Sequence, residues 1–516
     1  MIKETLKTHG DRQIEIKRRV GFDKPQEELK YHIETWFFFP TTLQINRWTF
    51  PAPSFPQYLK TYIRLRPPSA TLASLLDPGK ELDDISRCLD KLIAEGDREG
   101  ETELADQYEK ALKLFCMVYR RAVRLAVKDA LRTNKTPEQR SERARRYQAQ
   151  ISEILDKYRS MATRDALIAS RLRSPAFSYC DEYLAIITTH YCFKLLGALK
   201  EGGAKDEFRQ FWRQEMLYRA DNYHASLAIS GQDNELPLYR WSVLKKYVNA
   251  PLFLEIRRKG GQTFMFHVIT SIAAAFAMIF ATAVAFIWQM RHGAVSAPLF
   301  LALVIGYIFK DKMKELSREK MFSVFRRWLP DRRLVIYKDI DRPIGHSEEA
   351  FLFVDDKKLP DDIRQLRNKS HLVDILNSFR SEDILYYSKT VSLKNLDNMF
   401  FTDKRSIVDI TRLDISPFFR HVDNIGEELP TLDEEDVIRE DKTYHINIIR
   451  RITTNDQQPS ESIERMRVVI THNGIKRIEE VLKGNLDQRG EVAPKDRKVL
   501  SQRASTETED LSIGSE

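Results

Sequence analysis

Hydrophobic and polar residues change period four times along this chain, and each change predicts a change of element. Residues 1–80 carry aromatic and branched side chains in short runs broken by prolines, as in ELKYHIETWFFFPTTLQINRWTFPAPSFPQYLKTYIRLRPP. That pattern suits strands and turns, so an extended amino-terminal segment is expected, with Trp36, Phe37, Phe38, Phe39, Trp48, Phe50 and Phe55 forming a core beneath the turns. Over 81–260 the period becomes helical. Leu104, Tyr108, Leu112, Phe115, Tyr119, Ala122 and Ala126 make one apolar stripe, and Thr136 followed by Pro137 marks a capped helix start. Antiparallel helices packed as a bundle would bury such stripes.

Residues 263–288, TFMFHVITSIAAAFAMIFATAVAFIW, then run 26 positions without an acid, Lys or Arg. As a helix they reach about 39 Å, against about 30 Å of hydrocarbon in a bilayer. A second run, 294–309, is shorter at about 24 Å, so that spanning requires local thinning of the bilayer or snorkelling of Lys310 and Lys312. Cations flank the outer ends of both runs, and the connector QMRHG holds only Arg291 and a His. By the positive-inside bias the pair is expected to cross the inner membrane twice, with both termini cytoplasmic. Ala273, Ala277, Ala281 and Ala285 recur every four residues on the first helix, and Ala302 and Gly306 repeat the spacing on the second; such faces pack helices closely in lipid, within the hairpin or between copies in a homo-oligomer.

From 310 to 330 the sequence KDKMKELSREKMFSVFRRWLP is a basic amphipathic helix. Lys310, Lys312, Lys314, Arg318, Lys320, Arg326 and Arg327 are expected to contact anionic lipid. Past Pro330, over 331–484, strand-like runs (RRLVIYKDI, AFLFVDD, YHINIIRRI, ERMRVVITH) mix with a helix capped by Asp361 or Asp362, which predicts an α+β domain. Asn473-Gly474 fits a tight hairpin turn, GIKRIEEVLKGN is open to strand or short helix, and residues 485–516 read as a disordered tail. The fold expected is therefore an α+β membrane protein, with a two-helix transmembrane hairpin (263–288 and 294–309) between a mainly helical amino-terminal cytosolic domain and an α+β carboxy-terminal one.

Composition narrows the function only slightly. At 516 residues with 31% charged side chains and a mean hydropathy of -0.44, the chain is too polar for a multi-span transporter. The first twenty residues hold no apolar core of a secretory signal. A net charge of +8 favours anionic neighbours. Membrane lipid and an unidentified protein partner are expected; nucleic acid is not, since no clear helix-turn-helix precedes the basic ITHNGIKRIEEV. Cys88, Cys116, Cys180 and Cys192 have no paired spacing and read as reduced core residues, with no metal site and no cofactor implied.

Phosphate-cradle, metalloprotease and nucleophile-elbow motifs are missing. In VIYKDIDRP, Asp339 and Asp341 follow an apolar strand, which resembles the aspartate pair of haloacid-dehalogenase-like phosphatases. That resemblance implies a nucleophile and an acid acting on a magnesium-bound phosphate. It covers about ten residues, and Arg342 and Pro343 stand where that family places a hydroxyl residue. The expected role is accordingly a membrane-anchored cytosolic scaffold, sensor or assembly factor. Its alternatives are a membrane-bound hydrolase of phosphate esters or lipids, and a channel or transporter subunit.

Overall fold

A computed structural model describes residues 2–485 except 23–27, 96–100, 133–135, 173, 259–261, 293–296, 326–329, 339–341, 369–381, 395–404, 432–436 and 455–459. Strands β1 (Ile2–Thr8), β2 (Gln13–Phe22), β3 (Glu28–Pro40) and β4 (Leu59–Leu65) come first. Helices α1 (Glu81–Glu95), α2 (Glu101–Ala130), α3 (Pro137–Arg159), α4 (Ala162–Leu172), α5 (Ala176–Gly197), α6 (Gly203–Asn222) and α7 (Glu235–Asn249) follow. Then come β5 (Phe253–Arg258), α8 (Gln262–His292), α9 (Ala297–Phe325), β6 (Arg332–Tyr337), β7 (Pro343–Val354), α10 (Asp361–Asn368), β8 (Glu382–Lys394) and β9 (Arg405–Asp414). A ribbon of β10 (Gly426–Pro430) and β11 (Val437–Asp441) precedes β12 (Tyr444–Thr454), β13 (Ser460–Thr471) and β14 (Gly474–Asn485).

Twelve strands form one sheet in the order β1-β2-β9-β4-β5-β6-β7-β8-β3-β12-β13-β14. Every pairing whose register is described is antiparallel. The sheet curls until its two ends meet. The Ile475 amide, at the start of β14, donates to the Asp11 carbonyl in the β1–β2 turn at 2.8 Å. Gly474 makes that approach possible: its φ is +135°, and a Cβ there would stand 2.7 Å from the Asp11 oxygen.

Strand alternation gives the curled sheet an inner and an outer face. Inside, Phe37, Phe39, Phe351, Leu385, Ile446, Ile448, Met466 and Val468 make an apolar core, capped by Phe55 and Phe418 from short turns of helix. Outside, α10 lays Ile363 and Leu366 over Trp36, Phe38, Ile384 and Ile449. The expected aromatic core is thus divided between the two faces of β3, while Trp48 remains 85% exposed.

The helical unit, built chiefly of residues 64–253, is separate. Its central helix is α5, whose buried charges are all paired. Glu182 takes a two-pronged contact from Arg240 (2.6 and 2.7 Å), and Asp181 accepts from Tyr218 (2.6 Å) and Tyr223 (2.7 Å). The α3 start is the capping box expected at Thr136, closed reciprocally with Gln139.

Two features of the expected architecture are corrected. The β unit gathers the described residues of 2–63, 254–394 and 408–485, so the amino-terminal strands are not a separate extended segment. β3 lies between β8 and β12 and completes the carboxy-terminal sheet. The two-helix transmembrane hairpin is also overturned: among the described residues one helix, α8, is long and apolar enough to cross a bilayer. The second apolar run begins its helix only at Ala297 and meets Lys310, leaving about 20 Å of apolar helix against about 30 Å of hydrocarbon.

Candidate functional site: a helical hairpin rising from the sheet

The α8–α9 pair is an insertion between two hydrogen-bonded neighbours. β5 and β6 pair antiparallel, Glu255 opposite Tyr337 and Arg258 opposite Leu334, so the chain leaves the sheet and returns to it at one place. Arg257 anchors this root through both carboxylate oxygens of Glu255 (2.7 and 2.9 Å), with its guanidinium over the Tyr337 ring.

Within α8 the stretch His267–Met290 has a mean hydropathy of 2.2, yet only 17% of its most apolar window is buried. A core helix of the same composition would be enclosed. Here Phe276, Ile279, Phe286, Met290, Phe300, Leu301 and Tyr307 face outward, several of them more than 60% exposed. Such a continuous apolar surface exceeds what an isolated chain normally leaves in water.

The small-residue face has a use inside the chain. Ala273 and Ala277 are buried in line with Ile269, one turn apart, while Ala281 and Ala285 are half-buried. Gly306 of α9 is buried, and a Cβ there would meet Val284 of α8 at 3.8 Å. Close backbone approach therefore pairs α8 with α9. Ala302 lies in α9, in a position whose side chain is outside the described residues.

The basic segment continues α9 as one unbroken helix to Phe325. Lys310 rests its ammonium 3.8 Å from the centre of the Tyr307 ring, Arg318 pairs with Glu315 at 3.8 Å, and Lys312, Lys314 and Lys320 stand exposed. Arg326, Arg327, Asp339 and Asp341 all lie outside the described residues. The hairpin is thus apolar on both helices along its distal half and charged on α9 along its proximal half.

A second constellation, missed in the sequence, lies inside the sheet. Lys389 of β8 and Asp409 of β9 are fully buried, and the ammonium contacts both carboxylate oxygens at 2.8 and 2.7 Å. Tyr31 donates to Asp409 at 2.9 Å and Arg18 stands 3.9 Å away. One strand further, Glu349 binds Arg332 at 2.6 Å and accepts from Tyr387 at 3.3 Å. Arg450 lies opposite Glu464 on the same inner face. Burial alone would push the Asp409 carboxyl up, but Lys389, Arg18 and the Tyr31 hydroxyl more than offset it and hold the group below its ordinary value. Burial lowers the Arg450 guanidinium to about 10 despite Glu464. The available signal was period two: Arg18, Lys389, Asp409 and Arg450 occupy positions that alternation assigns to the apolar face.

In the helical unit, a cavity of about 220 Å³ is bordered by Tyr108, Asp106, Glu109 and Asp165. Burial raises the Asp165 carboxyl even though Tyr108 donates to it at 2.8 Å. Cys116, Cys180 and Cys192 are buried, and no group of metal-binding side chains occurs among the described residues. No family model, no curated protein and no solved structure matches this chain.

Proposed function

We propose that the protein is a membrane-anchored scaffold or sensor, held on anionic lipid by the α8–α9 hairpin. One observation carries the reading: a helix of this hydropathy is 17% buried although both ends of its hairpin are tied to adjacent strands. In this reading the hairpin dips into the lipid from one surface without crossing it. Its distal half lies among acyl chains and the cations of α9 lie among headgroups, each contributing about 1 kcal/mol of attraction to an anionic surface. The sheet then stays on the side of entry, where Arg257, Arg258, Lys310, Lys312 and Lys314 favour the cytoplasmic face of the inner membrane.

Flotation of the full chain with vesicles of phosphatidylcholine and phosphatidylglycerol tests this. The wild type is expected to float and to resist carbonate extraction, and Phe276→Lys with Ile279→Lys is expected to stay at the bottom. Replacing Lys310, Lys312 and Lys314 by Gln should reduce flotation on anionic vesicles selectively. A wild type that remains monodisperse in water without detergent refutes the anchor.

A further inference from the structure

The β10–β11 ribbon is a further exposed element of the β unit, touched near its base by Asn473, which donates to Asp441 at 3.0 Å. It forms a sheet of two strands, and eight of its ten residues are exposed. Two strands alone are marginal in water, and exposed edges are templates for pairing. The register sorts the side chains. Leu429 lies opposite Ile438, and two residues along the same face Glu427 lies opposite Glu440. Both apolar residues are about half exposed.

Like charges directly opposed across strands are unfavourable. Lys476 answers Glu440 at 2.7 Å, and Glu427 has no ion-pair partner among the described residues. The ribbon's own Arg439 turns to the opposite face, where its side chain covers Gly426. This face therefore presents two carboxylates beside an apolar pair, with a vacant position for one cation. On β10, Pro430 lacks an amide hydrogen, which leaves β11 as the edge able to pair along its length.

We propose that β11 is the docking edge for an extended, basic segment of a partner protein, in which an apolar residue and a Lys or Arg stand two positions apart and so share one face. Backbone pairing along β11 would supply affinity, Leu429 and Ile438 would receive the apolar side chain, and Glu427 with Glu440 would hold the cation. A second copy of the ribbon brings the same carboxylates against these and is disfavoured. An anionic lipid surface is disfavoured for the same reason.

A fluorescent peptide of repeated Val-Ser-Lys-Ser, which puts Val and Lys on one face of a strand, is the probe, titrated into the full chain in detergent. Expected are saturable binding that weakens as salt rises, a loss of about tenfold or more in Glu427→Gln/Glu440→Gln and in Leu429→Ser/Ile438→Ser, and no binding of the Val-Ser-Glu-Ser counterpart. Methylating alternate peptide amides should abolish binding by removing the strand donors. These surface variants should keep the wild-type melting temperature, which separates loss of binding from loss of fold. The proposal is overturned by absence of saturation up to about 1 mM, the weak end of specific association. It is equally overturned by binding that survives both variants, and by binding that emerges only after removal of residues 486–516, which would assign the edge to the chain's own carboxy-terminal stretch.

Discussion

Removing either member of the Lys389–Asp409 pair should destabilise the β unit far more than removing a surface ion pair. Both side chains have no solvent exposure, and their contacts are 2.7 and 2.8 Å. At an effective dielectric constant of about 20 the attraction at that separation is about 6 kcal/mol, while the desolvation of each ion costs several kcal/mol, so the intact pair is close to neutral. Lys389→Met leaves the Asp409 carboxylate in the sheet interior with Tyr31 and a guanidinium 3.9 Å away, and Asp409→Asn leaves two cations facing each other. Each change should cost about 3–5 kcal/mol. The double variant should cost less than either single, because it removes both charges together and the intact pair is close to neutral. Urea titration followed by hydrogen exchange of β8 and β9 peptides reads the β unit apart from the helical unit. Additive costs, or singles below about 1 kcal/mol, would refute the reading, since an exposed pair behaves that way. Acid supplies a second arm. The folded Asp409 carboxyl titrates below its unfolded value of about 3.9, so its contribution is present above that pH and is lost as pH falls through the folded value. Asp409→Asn should abolish this part of the acid sensitivity.

The remaining predictions concern local devices. Thr136→Ala removes the acceptor of the Gln139 amide at 3.3 Å and half of the capping box; it should cost about 1 kcal/mol and speed exchange in the first turn of α3. Gly474→Ala forces a Cβ to 2.7 Å from the Asp11 oxygen at a φ of +135°. That should cost about 1–3 kcal/mol and expose the Ile475 amide to exchange, while the helical unit keeps its urea midpoint.

Local elements were legible where one physical period dominated. Thr136-Pro137, the α2 stripe and the strands β12 and β13 follow directly from capping, helical spacing and alternation. The open choice at GIKRIEEVLKGN resolves as β14, because pairing with β13 satisfies its backbone through two register shifts, at Arg465/Met466 and at Val469/Ile470. Its Ile475 and Ile478 also pack on the inner core. Long-range pairing was not legible. Nothing in ELKYHIETWFFFP says that its neighbours are β8 and β12, more than 340 residues away, since alternation fixes a strand's faces but not its partners.

The apolar hairpin shows the same limit from the other side. Hydropathy alone treats the two apolar runs as independent rods of fixed length. The fold sets a different constraint: α9 begins at Ala297, turns charged at Lys310 and must end beside β6, which pairs with the strand that leads into α8. For the proposed anchor, depth would be set by the shorter apolar helix, about 20 Å, and not by the 24 residues of the longer one. If lipid covers this hairpin, deepening it should require lengthening α9, not α8. Inserting one apolar turn before Lys310 should strengthen vesicle binding, whereas the same turn inserted in α8 should offset the Ala277 and Gly306 packing lines and weaken it. Equal effects from the two insertions would show that hydropathy alone, without the tether to the sheet, governs the hairpin.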